Sequence, residues 1–513
     1  MRRYLTPFST NNTEVRDTDV LIVGAGLAGL FTAFHIAQDK HCTVLLKNDV
    51  SCSNSWLAQG GIAAVISPDD TVESHVSDTL KAGAGLCDEE AVRVLVSESG
   101  DAIRELVSLG VPFDRKADGS LSITREGGHS CRRIVHCGGD ATGREATRRL
   151  AQIELARKNT DFLFNAYLTD ILTNDGRICG ALISLAGKTI LFRTPNVVIC
   201  TGGIGYNYKH TTNPRGATGD GMAAAERAGA QLAMMEMVQF HPTTLIAEEN
   251  AQRLFLISEA VRGEGAILRN HKGEAFMQGV HELKDLAPRD IVTRAILAEL
   301  QKNPYRNVFL DVSSMTRAFF AQRFPTIYAK CRESGIQLTE DQIPVRPAQH
   351  YQMGGIKTGL NGETCIDGLY AVGEAACTGI HGGNRLASNS MLECLVFGKR
   401  AALRINADKR RAADISLTLS YTEPDLPPLT KSEAKEMRDT HREIMQSHVG
   451  AVRHTALLSE ALSHFESDLA LLDSRRLDAP YAFEIYNMTE IAIAVTSGAL
   501  ARKESVGAHY IVD

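Results

Sequence analysis

Eleven cysteines occur in this 513-residue chain without a single C-x-x-C pair, and an odd number cannot all pair with one another. Cys131 and Cys137 flank RRIVH with five residues between them, poor spacing for zinc or an iron–sulfur cluster, so the cysteines read as reduced thiols and no metal site is expected. Long blocks of like charge are also lacking. With 55 basic and 61 acidic residues the net charge is only -6, and nothing tracks a nucleic-acid backbone. The most apolar segment, Val20 to Ala37, is broken by Gly24, Gly26, Gly29 and His35 and falls short of the ~20 apolar residues that span a bilayer. It begins behind the polar stretch Ser9–Asp19, too late for a signal sequence. The expectation is a cytoplasmic protein with no membrane or nucleic-acid partner, and no internal repeat or low-complexity tract interrupts it.

What is there points to a ligand-binding enzyme. The length exceeds that of a single core, so about two to four domains are expected, enough to enclose a sizeable site. Asp19–Val23 is a short β-branched run leading into GAGLAG, Gly24 to Gly29, which opens a helical pattern through Leu30, Phe34 and Ala37. Strand, tight turn and helix in that order let backbone N–H groups approach a pyrophosphate at the helix's positive end. The same spacing also suits a tight turn that binds no nucleotide. The next strand ends in Leu46 and Lys47 where a ribose-binding acid usually stands, which argues against an ordinary NAD site and leaves Lys47 to contact a phosphate or the adenosine.

A second glycine-rich segment, Gly368 to Gly398, contains a strand around LYAVG, then Glu374, a loop, and a helix over ASNSMLECLVFG capped by Ser388, Asn389 or Ser390. The two ends together describe one discontinuous nucleotide-binding domain.

At this point the chain resembles the fumarate reductase and succinate dehydrogenase flavoprotein family. GAGLAG, NSWLAQGGIAAV from Asn54, DATGRE from Asp140, TTNPRGATGDG from Thr211, QFHPT from Gln239, SEAVRGEG from Ser258, APRDIV from Ala287, HYQMGG from His350 and HGGNRLASNS from His381 occur in family order. The resemblance implies an α/β FAD-binding, Rossmann-like domain from residues 1–234 and 351–420, an inserted α+β capping domain over 235–350, and a C-terminal helical domain over 421–513. Three amphipathic helices are expected there, over 431–450, around 455–465 and over 486–505.

FAD is implied to lie along Gly24, Ala25, Gly26, Leu27, Ala28 and Gly29, with Lys47, Tyr167, Leu168 and Asp220. Asn54, Ser55, Gln59, Gly60, Gly61, Glu374, Ser390 and Met391 complete the implied cofactor set. Where succinate dehydrogenases carry a histidine bonded to the flavin, this chain has Asn54, so a noncovalent flavin is implied.

By the same resemblance His241, Ser258, His350 and Arg385 bind a dicarboxylate, Glu259 and Arg262 support them, and His241, His350 and Arg289 stand at the chemistry. A dry pocket for two carboxylates needs such donors converging on both ends. Either histidine alone suits a structural role, and Arg289 suits a surface or capping position. Arg289 is the family's proton shuttle, yet a guanidinium is a poor base, and for an amine substrate it orients and polarises. Serine at 258 keeps the hydroxyl of the usual threonine without its methyl. Glu126, in TREGGHS, replaces an aromatic residue. It reads either as the partner of a substrate α-ammonium or as a solvated loop acid beside Arg125.

The branch of the family that fits oxidises L-aspartate to iminoaspartate, passes electrons to dioxygen or fumarate, and feeds quinolinate synthase and NAD synthesis. The rival readings are a soluble fumarate reductase or a succinate dehydrogenase flavoprotein, a flavin-binding scaffold without turnover, and an ordinary NAD-dependent dehydrogenase. Val506, where the family usually has arginine, is expected to weaken a contact between the helical and flavin domains.

Overall fold

Val20–Val23 is the middle strand of a five-stranded parallel sheet in the computed structural model, which describes residues 2–246, 253–302, 306–338 and 342–513. The strand order is Leu369–Ala371, Val197–Ile199, Val20–Val23, Cys42–Leu46, Thr160–Phe164, all parallel. VLIV and CTVLL are buried along their whole length, as a sheet covered on both faces requires. Val197 pairs with Leu21 on one side and with Leu369 on the other, which joins the two glycine-rich ends of the chain in one sheet.

The helix after the turn runs Leu27–His35 and stops two residues short of the expected Ala37, because Ile36 is already extended at φ -65, ψ 131. It packs along the helix Asn389–Ala407, with Leu27, Leu30 and Phe31 in one core with Leu392, Leu395 and Val396. Gly398 permits the close approach, since a Cβ there would stand 3.0 Å from Thr32 Oγ1 and 3.4 Å from Ala28 O.

Against the other face lies a four-stranded sheet in the order Glu14–Asp17, Lys188–Arg193, Arg177–Leu185, Ala166–Asn174, sharing a core in which Leu21, Val23 and Ile199 meet Ile171, Ile183 and Phe192. No alternating pattern in the sequence marks this layer, whose central strands are buried along most of their length. It brings Tyr167 and Leu168 toward the nucleotide end.

A third sheet, with the order Phe255–Leu256, Val238–Leu245, Ile343–Gln352, Val308–Asp311, Ile267–Arg269, is antiparallel throughout. Helices Arg289–Lys302 and Pro325–Glu333 contribute Ile296 and Ile327 to a separate core with Leu268, Leu310 and Val345. The strand Ile343–Gln352 continues unbroken past the boundary expected at residue 350. It thereby delivers His350 and Tyr351 toward the parallel sheet.

Beyond Tyr421 come three helices, Lys431–His448, Thr455–Asp473 and Pro480–Ala501. Thr430 caps the first in a reciprocal box with Glu433. The second runs eight residues beyond Phe465, and the third starts at Pro480, whose missing N–H costs nothing in a first turn. The segment after it docks through its backbone: Ala508 N–H donates to Gly383 O at 2.8 Å. Val506 packs with Met237, Tyr351 and Met353, so apolar contact stands where a weakened polar one was expected. Among the described residues no helix is long and apolar enough to cross a membrane.

Candidate functional site

The three glycines of the turn serve different ends. Gly24, at φ +108, lies so close to the neighbouring strand that a Cβ would be 2.2 Å from Cys200 O, and a Cβ at Gly29 would be 1.9 Å from Gly24 O. At Gly26 the nearest neighbour would be only Ser55 Oγ, at 3.0 Å. Gly26 begins the helix without a side-chain cap, and Ser55 Oγ accepts from Leu27 N–H at 2.9 Å. Gly24, Ala25, Gly26, Ala28 and Ser55 line one large cavity, whereas Leu27 and Gly29, both expected at the cofactor, stand behind it: Leu27 is a core side chain and Gly29 serves the turn.

Further along the cavity Lys47 donates to Asp220 Oδ2 at 2.7 Å and Thr218 Oγ1 at 3.0 Å, and pairs with Glu484 at 2.8 Å from the helix Pro480–Ala501. Burial alone would lower the lysine, but the two carboxylates outweigh it and hold it above its ordinary pKa. Lys47 itself lines the cavity, with its charge paired to the two carboxylates beside the space that a ligand would enter. Asp220 also accepts from Tyr167 OH at 2.6 Å and Asn487 Nδ2 at 3.1 Å, and Leu168 lines the wall beside them.

At the middle of the cavity Asn54 Nδ2 donates to Asn213 Oδ1 at 3.0 Å and Glu374 Oε2 at 3.3 Å, while Gln352 N–H donates to Glu374 Oε1 at 3.0 Å. Burial pushes Glu374 up to about 7. Gln59, Gly60 and Gly61 form another wall; Gln59 Oε1 is buried with no partner among the described residues. Gly61 is held against its strand neighbours, a Cβ meeting Val135 O at 2.4 Å, but at Gly60 the nearest atoms would be 3.8 Å away. The helix Asn389–Ala407 points its first turn here through Ser390 and Met391. None of the expected caps is made: Ser388 precedes the helix at φ 65, ψ 1, and among the described residues no side chain bonds its first-turn amides. Its free N–H groups and positive end therefore remain for a ligand. An uncapped helix, a second open glycine turn at Gly26 and the unpaired Gln59 together fit a flavin dinucleotide.

The far end is cationic. Arg289 opens its helix buried rather than at the surface; its Nε donates to Glu259 Oε2 at 2.6 Å and its Nη1 to Gln239 Oε1 at 2.9 Å. Arg385 Nη2 donates to the same Gln239 oxygen at 3.2 Å, its Nη1 to Ser390 Oγ at 2.9 Å, and its guanidinium lies 4.3 Å over the Tyr351 ring. Burial, with Arg289 nearby, lowers Arg385 to about 10. Glu259 feels the same burial in the opposite sense, but Arg289 and Arg262 outweigh it and keep it ionised.

Pro242 falls within the second of two register shifts in the strand Val238–Leu245, and beside it His241 Nδ1 sits 3.2 Å from both the N–H and the C=O of Thr243 while Nε2 has no partner among the described residues. The His241 and His350 rings meet edge to face at 5.2 Å, and Thr212 Oγ1 lies 2.8 Å from His350 Nδ1. Burial first, then Arg289, lowers both well below the ordinary histidine value. Each is thus a neutral imidazole, able to donate a hydrogen bond without adding a charge. Ser258 caps the short helix Glu259–Gly263 and lines the cavity, whereas Arg262 does not reach it and bonds to Asp285 O instead.

Glu126 is 5% exposed and turned into this cavity, away from exposed Arg125, which removes the reading as a solvated acid or a partner of that arginine. Ser388 Oγ donates to its Oε2 at 2.7 Å, and Oε1 has no partner among the described residues. The loop is fixed from behind: His129 Nε2 donates to Ala387 O at 2.9 Å, and Arg133, fully buried, grips Asp70 with two bonds of 2.8 Å and reaches His129 Nδ1 at 3.2 Å. A Cβ at the adjoining Gly127 would stand 2.1 Å from Glu259 Oε1, so a side chain there would displace the carboxylate that pairs with Arg289.

Gln239, Arg253, Tyr351 and Ser388 also line or brace this end but were not singled out as site residues from the sequence. Gln239 and His241 lie two apart on one strand, a period-2 signal that a search for charges passes over. Arg253 Nε donates to Thr212 O at 2.8 Å and so supports the partner of His350.

Comparison with known proteins agrees with this geometry. Residues 19–391 match the FAD binding domain family and residues 438–513 the fumarate reductase flavoprotein C-terminal family. L-aspartate oxidase of Streptomyces coelicolor is 42% identical over 96% of this chain and 88% of its own length, and that of Neisseria meningitidis is 41% identical over 97% and 99%. Among solved structures, E. coli quinol fumarate reductase superposes with a TM-score of 0.89 at 30% identity, covering 98% of this chain and 92% of that one. The chain belongs to the L-aspartate oxidase family of FAD-binding flavoproteins.

Proposed function

We propose that this protein oxidises L-aspartate at its α-carbon to iminoaspartate, with FAD held noncovalently and reoxidised by dioxygen or by fumarate. The observation that carries the choice of substrate is Glu126, a buried carboxylate with an unpaired oxygen in the same cavity as Arg289, Arg385, His241 and His350. A plain dicarboxylate would be repelled by it, whereas aspartate brings an α-ammonium that pairs with it. Succinate and fumarate satisfy only the cationic part of the site.

In this reading Arg385, His241, His350 and Ser258 hold the two carboxylates, and Arg289, oriented by Glu259 and Gln239, polarises the substrate. Arg262 supports Glu259 from outside the cavity. Glu126 receives the ammonium, and loss of a proton from that nitrogen leaves a lone pair to drive formation of the C=N bond. The flavin, when bound, supplies the two-electron acceptor for the α-hydrogen, and the protein supplies orientation and a fixed field.

Asn54 lacks a nucleophilic ring nitrogen, which is the chemical ground for a noncovalent cofactor. Iminoaspartate is hydrolytically labile, and its consumer is quinolinate synthase, which places the reaction at the start of NAD biosynthesis, in the cytoplasm. The test is anaerobic: L-aspartate should bleach the visible absorbance of the flavin-loaded protein and succinate should not. Bleaching by succinate alone would give the protein to the dehydrogenase reading.

A further inference from the structure

We propose that Ser388 aims Glu126, and is a positioning residue that sets the preference for an amino dicarboxylate over a plain one. This rests on the reading of Glu126 just given.

Ser388 does neither thing a serine before a helix normally does. An N-cap serine has extended backbone angles and accepts from a first-turn N–H. Ser388 is left-handed at φ 65, ψ 1, and leaves the helix Asn389–Ala407 without a side-chain cap. The left-handed region disfavours any residue with a Cβ and suits glycine, which is also tolerated at a helix start. Local structure therefore gives no reason for the hydroxyl.

The reason lies in the cavity wall, where the hydroxyl donates directly to Glu126 Oε2 at 2.7 Å. Both partners are buried, Glu126 at 5% and Ser388 at 7% exposure. The backbone on each side is tied as well, since His129, three residues after Glu126, bonds the carbonyl of Ala387, one residue before Ser388. With Oε2 occupied, Oε1 is the oxygen left over, and it has no partner among the described residues. Gly60 lies opposite: a Cβ there would be 3.8 Å from Glu126 Oε1 and from Ser388 Oγ alike, so the missing side chain leaves room above the pair. A carboxylate fixed this way presents one oxygen in one direction and loses little freedom when a cation arrives. A carboxylate free to rotate would not hold that direction.

Two substitutions separate aim from architecture. Ser388→Gly removes the hydroxyl and relieves the left-handed backbone. It is expected to melt at or above the parent's temperature, to lose about ten-fold in kcat/KM for aspartate, and to keep fumarate reduction by a chemical reductant. Ser388→Thr restores the hydroxyl on a β-branched residue that the φ of 65 disfavours. It is expected to melt lower yet keep the parent's ratio of aspartate to fumarate activity. A glycine variant with the parental ratio overturns the proposal, as does one in which both activities fall together.

Glu126→Gln, run in parallel, tells the two readings apart. If it separates the activities and Ser388→Gly does not, the aiming role fails and the substrate reading stands. If neither separates them, both fail. In the double variant the second change is expected to cost less than it does alone, because each removes part of one interaction; fully additive losses would overturn the coupling.

Discussion

Arg289 and Arg385 share a single acceptor, the Oε1 of Gln239, at 2.9 and 3.2 Å. A neutral amide thus spaces two buried guanidiniums without cancelling either charge, and its own Nε2 is anchored on Asn384 Oδ1 at 2.8 Å and Arg385 O at 3.0 Å.

Replacing that amide by a carboxylate tests whether the spare positive charge holds the substrate. Gln239→Glu keeps the size and neutralises one arginine. Each charge-assisted contact is worth about 1.5–3 kcal/mol, so kcat/KM for aspartate and for fumarate should both fall roughly ten- to a hundred-fold. Steady-state kinetics on both substrates decide it, and an unchanged pair of values would mean that the guanidinium charge is not used in binding.

For Glu126 the two substrates should part company. Glu126→Gln removes the charge and keeps the shape, so aspartate turnover should lose about 1–3 kcal/mol of transition-state stabilisation while fumarate reduction holds level or improves. Losing both would assign Glu126 to the fold or the flavin.

The cofactor link has its own assay. On the proposal that the flavin is held noncovalently beside Asn54, acid precipitation should leave the flavin in the supernatant, and colour in the pellet would show a covalent bond. Gly26→Val should fill the opening of the turn and yield a folded apoprotein, since only Ser55 Oγ stands near the added carbon. Flavin content per chain and the melting temperature report the two halves of that statement.

Glu374 makes the apoprotein's stability depend on pH. Its carboxyl is raised by burial to about 7 from 4.5. Between those values the unfolded chain has released the proton and the folded chain retains it, so the stabilisation present below about 4.5 is lost as pH rises through 7. Glu374→Gln has no proton to lose. Its melting temperature should match the parent's at acid pH and exceed it above pH 7, by an amount that reflects at most roughly 3 kcal/mol. A constant difference across pH would show that Glu374 titrates normally.

The parts of the site legible in the sequence were those whose signal is local. GAGLAG announces a turn because glycines at fixed offsets have few other uses, and VLIV and LYAV mark strands by composition. That both belong to one domain is legible, but their pairing through Val197 is not, because nothing in either segment names the strand between them. The antiparallel layer over Ala166–Asn174 escaped notice because its strand is buried along most of both faces and shows no alternation. Ser388, Asn389 and Ser390 all read as caps because sequence gives residue type and not φ, and the left-handed backbone of Ser388 is invisible in it. The ion pairs of Lys47 are invisible in the sequence because its partners, Asp220 and Glu484, lie far away in the chain. Gln239 carries no charge, and its role exists only where two arginines from distant helices and loops converge on it.

The parallel sheet also fixes an order of events at the ribosome. Val197–Ile199 is flanked by Val20–Val23 on one side, but its other edge waits for Leu369–Ala371, some 170 residues later in synthesis. At about 5–20 residues per second that interval is roughly ten to thirty seconds, during which an apolar strand edge stands open on the nascent chain. The flavin cavity cannot close before Ser390 and Met391 have emerged, so the cofactor cannot shield that edge while it is open. Yield of soluble protein should therefore fall when translation is slowed between residues 199 and 369, and be indifferent to slowing after the helix Asn389–Ala407 is complete.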